Sequence, residues 1–236
     1  GNTGYGVSSL PILDAGQNNT AFGANTGLNL ENSSDNVIIG YDAGRNLKPG
    51  GNTCDRNTLV GSGITFSLNP SGDDNTCVGY RAGSNIDSGF QNVFMGVDAG
   101  RSNSLGADNV AIGYRALEDA ETAADNVAIG ISAAKNVTGS SNTAVGKGAL
   151  LGATTGDRNL AIGADAGMAL TTGSNNTIIG SWLGTGSATI SDTVIIASGL
   201  TERIKVDASG LSINGSPFTV PGAFTGDSGS GGTTGL

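Results

Sequence analysis

The sequence predicts an all-β protein, a parallel β-solenoid of the β-roll or β-helix kind with about eleven turns of 17 residues, and three observations predict it. The string D-N-V-A-I-G occurs twice, ending at Gly113 and Gly130, seventeen residues apart. The same grammar, an asparagine four residues ahead of a glycine with apolar residues between them, recurs along most of the chain. The composition then limits the core, since there are 41 glycines, 5% aromatic and 13% charged residues, so the interior must be narrow. Collagen is excluded because glycine does not fall at every third position, and disorder is disfavoured by 37% apolar residues recurring in register.

The glycine that ends each phrase stands at Gly6, Gly23, Gly40, Gly61, Gly79, Gly96, Gly113, Gly130, Gly146, Gly163 and Gly180, with Ala197 as a degenerate twelfth. A period this constant means one structural turn per repeat, each stacked on its neighbours. The single long interval, 21 residues from Gly40 to Gly61, holds an insertion around Lys48 to Asp55 that is expected to bulge out as a loop.

Four residues before the glycine stands a column of asparagines: Asn2, Asn19, Asn36, Asn57, Asn75, Asn92, Asn109, Asn126, Asn142, Asn159 and Asn176. Turns stacked about 4.8 Å apart would let these amides hydrogen-bond up and down as a ladder. The following column is mostly Thr or Val, as at Thr20, Val37, Val93 and Val110. One residue before the glycine come Phe22, Ile39, Val60, Val78, Met95, Ile112, Ile129, Val145, Ile162 and Ile179. Columns two apart share a face of a strand, and β-branched residues favour strands.

After the glycine a second short segment begins, seen in G-Y-D-A-G at 40 to 44 and G-V-D-A-G at 96 to 100. Eleven residues past the asparagine comes another apolar column: Leu13, Leu30, Leu47, Leu68, Ile86, Ala120, Val137, Ala153 and Leu170. Each turn is therefore expected to hold two or three short extended segments separated by glycine and polar corners. Arg81, Asp98 and Arg115 fall on successive turns with alternating sign and read as a surface ion ladder. Asp108 and Asp125 align on adjacent turns and repel mildly.

The column two before the glycine holds Ala21, Ile38, Leu59, Cys77, Phe94, Ala111, Ala128, Ala144, Ala161, Ile178 and Ile195, and is expected to face away from the Val and Ile columns. A strand apolar on both faces needs a second surface to cover it, and three rolls packed around an axis would supply one. The protein is accordingly expected to be a homotrimer.

The repeat domain is read as residues 1–189, followed by a C-terminal β segment over 190–220 and a Gly/Ser-rich linker over 221–236. Apolar and polar residues alternate over Glu202 to Val206 and over Leu211 to Ile213, with S-G between them as a hairpin or bend. The chain opens on Gly1, not Met, which fits a processed chain or a piece of a longer one.

A net charge of -9 and a pI near 4.2 argue against nucleic acid as a partner. No apolar run reaches the roughly 18 residues of a membrane span, so no membrane insertion is expected. Cys54 and Cys77 form neither a CxxC pair nor a zinc site, and a bridge between them is not expected, because their offsets along the strand direction exceed a disulfide's reach. With no histidine, no nucleophile triad and no carboxylate pair set in an aromatic groove, no catalytic residue is assigned and no enzyme activity or cofactor is expected. The acidic corner at 71 to 75 has the oxygens calcium prefers, but Asp and Asn are also ordinary turn residues, and no metal is assigned. An ice-binding face would need an unbroken threonine array, which the Thr and Val alternation lacks. One binding strip is a candidate: Tyr41, Tyr80 and Tyr114 share the column just after the glycine and, with Trp182, could stack sugar rings.

The phrases N-N-T-A-F-G, D-N-V-I-I-G-Y-D-A-G-R-N and S-N-N-T-I-I-G-S resemble the repeats of bacteriophage tail fibres and related trimeric tail proteins. The ending T-E-R-I-K-V-D-A-S-G-L-S-I-N-G resembles the segment by which such repeats hand over to a more distal region of the fibre. The N-x-A-I-G core is also similar to the head repeats of bacterial trimeric autotransporter adhesins, which use shorter turns. The resemblance covers roughly residues 1 to 215. It implies a virion-borne, non-enzymatic shaft that assembles as a homotrimer, meets other virion tail proteins and serves attachment to a host surface glycan or protein receptor. An adhesin head on a bacterial surface and a glycan-cleaving tailspike are the alternatives.

Overall fold

The computed structural model describes residues 1–11, 15–45, 53–66, 71–153, 155–184, 188–199 and 201–217. Most of the Lys48 to Asp55 insertion, Leu13, Leu47, Leu68 and the 221–236 linker lie outside these residues. Among the described residues there is no helix, and fifteen strands form one sheet in strict sequence order. The first six are β1 (Thr3–Tyr5), β2 (Thr20–Phe22), β3 (Val37–Ile39), β4 (Thr58–Val60), β5 (Thr76–Val78) and β6 (Val93–Met95). Then come β7 (Val110–Ile112), β8 (Val127–Ile129), β9 (Thr143–Val145), β10 (Leu160–Ile162), β11 (Thr177–Ile179) and β12 (Val194–Ser198). These twelve pair in parallel, each in register with the next, as in Val110↔Val127 and Ile112↔Ile129. The chain is a parallel β-solenoid.

Among the described residues each turn carries one extended segment, not the two or three the sequence suggested. The reason is backbone handedness after the phrase-ending glycine: Asp98 (φ 56) and Gly100 (φ 58) alternate with ordinary residues, so no run of extended backbone can form. Pairing between turns continues through these corners all the same. Asp98 donates its N–H to the Tyr80 carbonyl at 3.0 Å, and Gly100 donates to Ala116 at 2.9 Å.

Gly113 shows why the phrase must end in glycine. It sits at φ 134, a region that side chains with a Cβ avoid, and a methyl group there would lie 2.5 Å from the Gly130 carbonyl oxygen. Where the repeat offers Ala197 instead, the corner is not made. β12 runs on to Ser198, the register shifts between Ile196 and Ala197, and the chain returns antiparallel. Three strands then form a meander: β13 (Thr201–Asp207), β14 (Gly210–Ile213) and β15 (Ser216–Pro217).

The core is a thin column inside the turns. The residues two before the glycine, Ile38, Leu59, Cys77, Phe94, Ala111, Ala128 and their equivalents, are buried within their own chain. Leu30, Ile86, Val137 and Leu170 meet them from across the turn. Large and small residues compensate within each layer. Phe94 fills the space beside Gly100, where an added methyl would come within 2.5 Å of its ring, whereas in the next turns small Ala111 and Ala144 accompany buried Leu117 and Leu150.

The column expected to need an outside cover is thus the core, and the Val and Ile columns are the open face. Ile39, Met95, Ile112, Ile129, Ile162 and Ile179 are 38 to 41% exposed, in two parallel lanes with Val37 and its equivalents.

Gly113→Ala is expected to destabilise the solenoid by about 1–3 kcal/mol from backbone strain alone, and more from the clash with Gly130. A chemical-denaturation midpoint that does not fall would show that the corner tolerates a Cβ.

Candidate interaction surface

The asparagine column forms a continuous internal ladder. Asn19, Asn36, Asn57, Asn75, Asn92, Asn109, Asn126, Asn142, Asn159 and Asn176 are buried, at no more than 2% exposure. Each Oδ1 accepts the backbone N–H of the next asparagine at 2.8 to 3.1 Å, beginning with Asn2 to Asn19. Each Nδ2 reaches a carbonyl three residues before the following asparagine, as Asn109 reaches Ala123 at 2.7 Å and Asn142 reaches Gly156 at 2.9 Å. A carboxamide is required because one group must accept and the other donate. The carbonyl it reaches belongs to a column of small residues, Gly72, Gly89, Gly106, Ala123 and Gly139 among them, which keeps the approach close.

A second side-chain ladder runs two residues before the asparagines. Ser34 Oγ accepts from the Gln17 N–H at 3.1 Å, Asp55 from Ser34 at 2.7 Å and Asp73 from Asp55 at 2.7 Å. This column mixes Ser and Asp, so its periodicity is weak in the sequence. It gives the acidic corner at 71 to 75 a structural use. Asp73 joins this ladder, while Asp74 binds Arg56 Nε at 2.6 Å, an interaction that draws its carboxyl below the usual range.

Ionic contacts gather on one flank. Arg81 Nη2 reaches Asp98 at 2.8 Å, but Arg115 turns away from Asp98 and binds Glu118 at 2.7 Å. Glu118 is fully buried and also receives Arg101 at 3.2 Å and Lys135 at 3.3 Å. Sequence reasoning missed this centre, although Arg101, Glu118 and Lys135 stand five residues after Gly96, Gly113 and Gly130 on three successive turns, with alternating sign. Asp108 and Asp125 lie exposed at left-handed corners, φ 57 and 58, where short polar side chains are favoured.

The candidate aromatic strip divides. Tyr41, Tyr80 and Tyr114 are 59, 50 and 48% exposed and occupy one column beside the apolar lanes. Arg81 lies over the Tyr80 ring at 4.9 Å and Arg115 over Tyr114 at 5.7 Å, so one face of each ring is already covered by a cation. Trp182 does not belong to the strip. It is only 6% exposed and belongs to the core cluster near its C-terminal end, against Gly184.

Cys54 and Cys77 are both free thiols and both buried. Burial pushes the Cys54 thiol up to about 12, helped by Asp73, Asp55 and Asp87 and opposed by a hydrogen bond with the Gly72 backbone; burial alone pushes Cys77 up as well. The folded state favours the protonated thiols, so their contribution to stability is complete below the ordinary value of 9.0 and is lost as pH rises toward 12.

The longest continuous surface feature is the apolar lane from Phe22 to Ile196, beside a lane of mixed Thr and Val. The two lanes do not stop at the last solenoid strand. Val194 pairs with Val206 and that with Leu211, while Ile196 pairs with Ile204 and that with Ile213, all 37 to 41% exposed. Fourteen strands at about 4.8 Å make the stripe roughly 60 Å long.

Three outcomes follow. Thiol reagents at pH 8 should label neither cysteine until the chain unfolds, and rapid labelling of the native protein would contradict the buried placement. Asn126→Ala should lower the unfolding midpoint by an amount equivalent to about 1–3 kcal/mol, because Gly139 O and the Asn142 N–H lose their partners. Glu118→Gln should cost about 2 kcal/mol, as Arg101, Arg115 and Lys135 lose their shared counterion while keeping some access to water.

Compared with known proteins, the chain matches no family model, no curated protein and no solved structure.

Proposed function

We propose that this chain is a structural segment of a bacteriophage tail fibre, a non-enzymatic homotrimeric shaft that holds the virion at a fixed distance from its host and serves attachment. The observation that carries the reading is the stripe along one sheet face, an unbroken apolar lane from Phe22 to Ile196 beside a lane of mixed Thr and Val, with nothing in the described residues covering it. An uncovered stripe of this length favours association, and chains arranged side by side about an axis along the solenoid would bury it without opening a new edge. The resemblance of the N-x-x-I-G repeats to trimeric tail proteins sets the number of chains at three.

The ladders support a mechanical role. The turns are tied to one another by main-chain bonds and asparagine amides, and at several turns by Ser and Asp side chains as well, all directed along the axis. A rod tied in this way transmits load without a hinge. The receptor belongs to the host surface, as a glycan or a protein, and other virion tail proteins flank the shaft.

Light scattering on the native chain tests the reading. The expected mass is near three times the 23.2 kDa of one chain. Ile112→Asp combined with Ile129→Asp, which places carboxylates in the middle of the stripe, is expected to reduce the particle to a single chain. A wild-type chain that remains monomeric at all concentrations would sink the proposal.

A further inference from the structure

We propose that the C-terminal meander, β13 to β15, is held by a second copy of this chain, so that it becomes ordered on self-association while the solenoid folds within a single chain. This rests on the trimer reading above.

In the solenoid each strand from β2 to β12 sets an apolar residue on its core side and at least one more in the stripe. The meander breaks that rule. Its core side begins at buried Ile195, but the register carries this column to Lys205, then Ser212, then Pro217. Its stripe side stays apolar across β13 and β14, through Ile204, Val206, Leu211 and Ile213, and ends at Ser216 on β15. The only apolar face of the meander therefore points outward, and no residue of its three strands is buried. A three-stranded sheet needs a covered hydrophobic face to be stable in water. No other part of the described chain covers this one.

Continuity selects the occupant. Whatever covers Ile179 and Ile196 in the stripe lies directly beside Ile204 and Ile213, because these residues are paired strand by strand in one lane. Copies related by an axis along the solenoid present the same lane at the same height, apolar against apolar. A partner of different charge or shape would have to match both the solenoid and the meander, whereas a second copy matches both by symmetry.

Hydrogen exchange on the full chain, read together with its mass, tests the inference. At three chains per particle the amides of β13 and β14 are expected to be protected about 100-fold or more over an unstructured segment. In the Ile112→Asp, Ile129→Asp chain, whose substitutions lie far from the meander, that protection is expected to vanish while strands distant from the substitutions, such as β4 and β5, keep theirs. Leu211→Asp gives a second reading: meander protection should be lost with the solenoid intact. A meander that stays protected in the monomeric variant, or after Leu211→Asp, overturns the inference. So does a wild-type trimer whose meander exchanges freely, and this result leaves the fibre reading standing. A wild-type particle of one chain overturns the fibre reading and the inference with it.

Discussion

A turn with only three extended residues and no helix can hold its shape only if its backbone groups find partners in the turns on either side. Everything else in this chain is arranged so that they do. The strands supply a few of the bonds. The corners supply the rest, because left-handed residues such as Asp98 and Gly100 point their N–H groups along the axis toward neighbouring carbonyls. The buried asparagines then take up the groups that neither strand nor corner can reach, each both accepting and donating. This explains how a glycine-rich chain, which pays heavily in backbone entropy, specifies one fold.

The narrow core follows from the same constraint. Turns stacked at strand spacing leave one layer of side chains per turn, so a large residue on one wall demands a small one opposite. Phe94 faces Gly100, while Ala111 goes with Leu117. Leu117 and Leu150 occupy left-handed backbone, φ 49 and 51, where glycine stands in other turns. Their burial offsets the local strain, roughly 1–3 kcal/mol against the several kcal/mol lost on truncating a buried leucine. Glu118 follows a different logic. Its carboxylate is stripped of water but shared among three cations from three turns, tying the stack together electrostatically.

A core that small leaves the strands' other face unsatisfied. The outward face keeps one unbroken apolar lane and one of mixed Thr and Val, and both extend into a meander whose inner side has turned polar. The polarity reversal at Lys205 separates two requirements: the solenoid needs its own interior, and the meander needs a surface outside the chain. In the proposed assembly that division would put the contact at the open face of the sheet, with Tyr80 and Tyr114 and their stacked arginines on its flank.

The sequence by itself determined the repeat, the parallel stacking and the residues that recur in columns, because a one-dimensional fold writes its contacts at a fixed period. Asn at one position and Gly four later could be read directly, since only a carboxamide can build that ladder and only glycine can take φ near 134 at Gly113. Which side of the strand faces inward could not be read, because both sides are apolar and alternation alone does not label them. Nor could the Glu118 centre, Trp182's burial or the single strand per turn, since each depends on how the corners bend the chain back over itself. Those were decided by the tertiary structure, where left-handed corners close each turn on the Ala, Ile and Phe lane and leave the Val and Ile lanes outside.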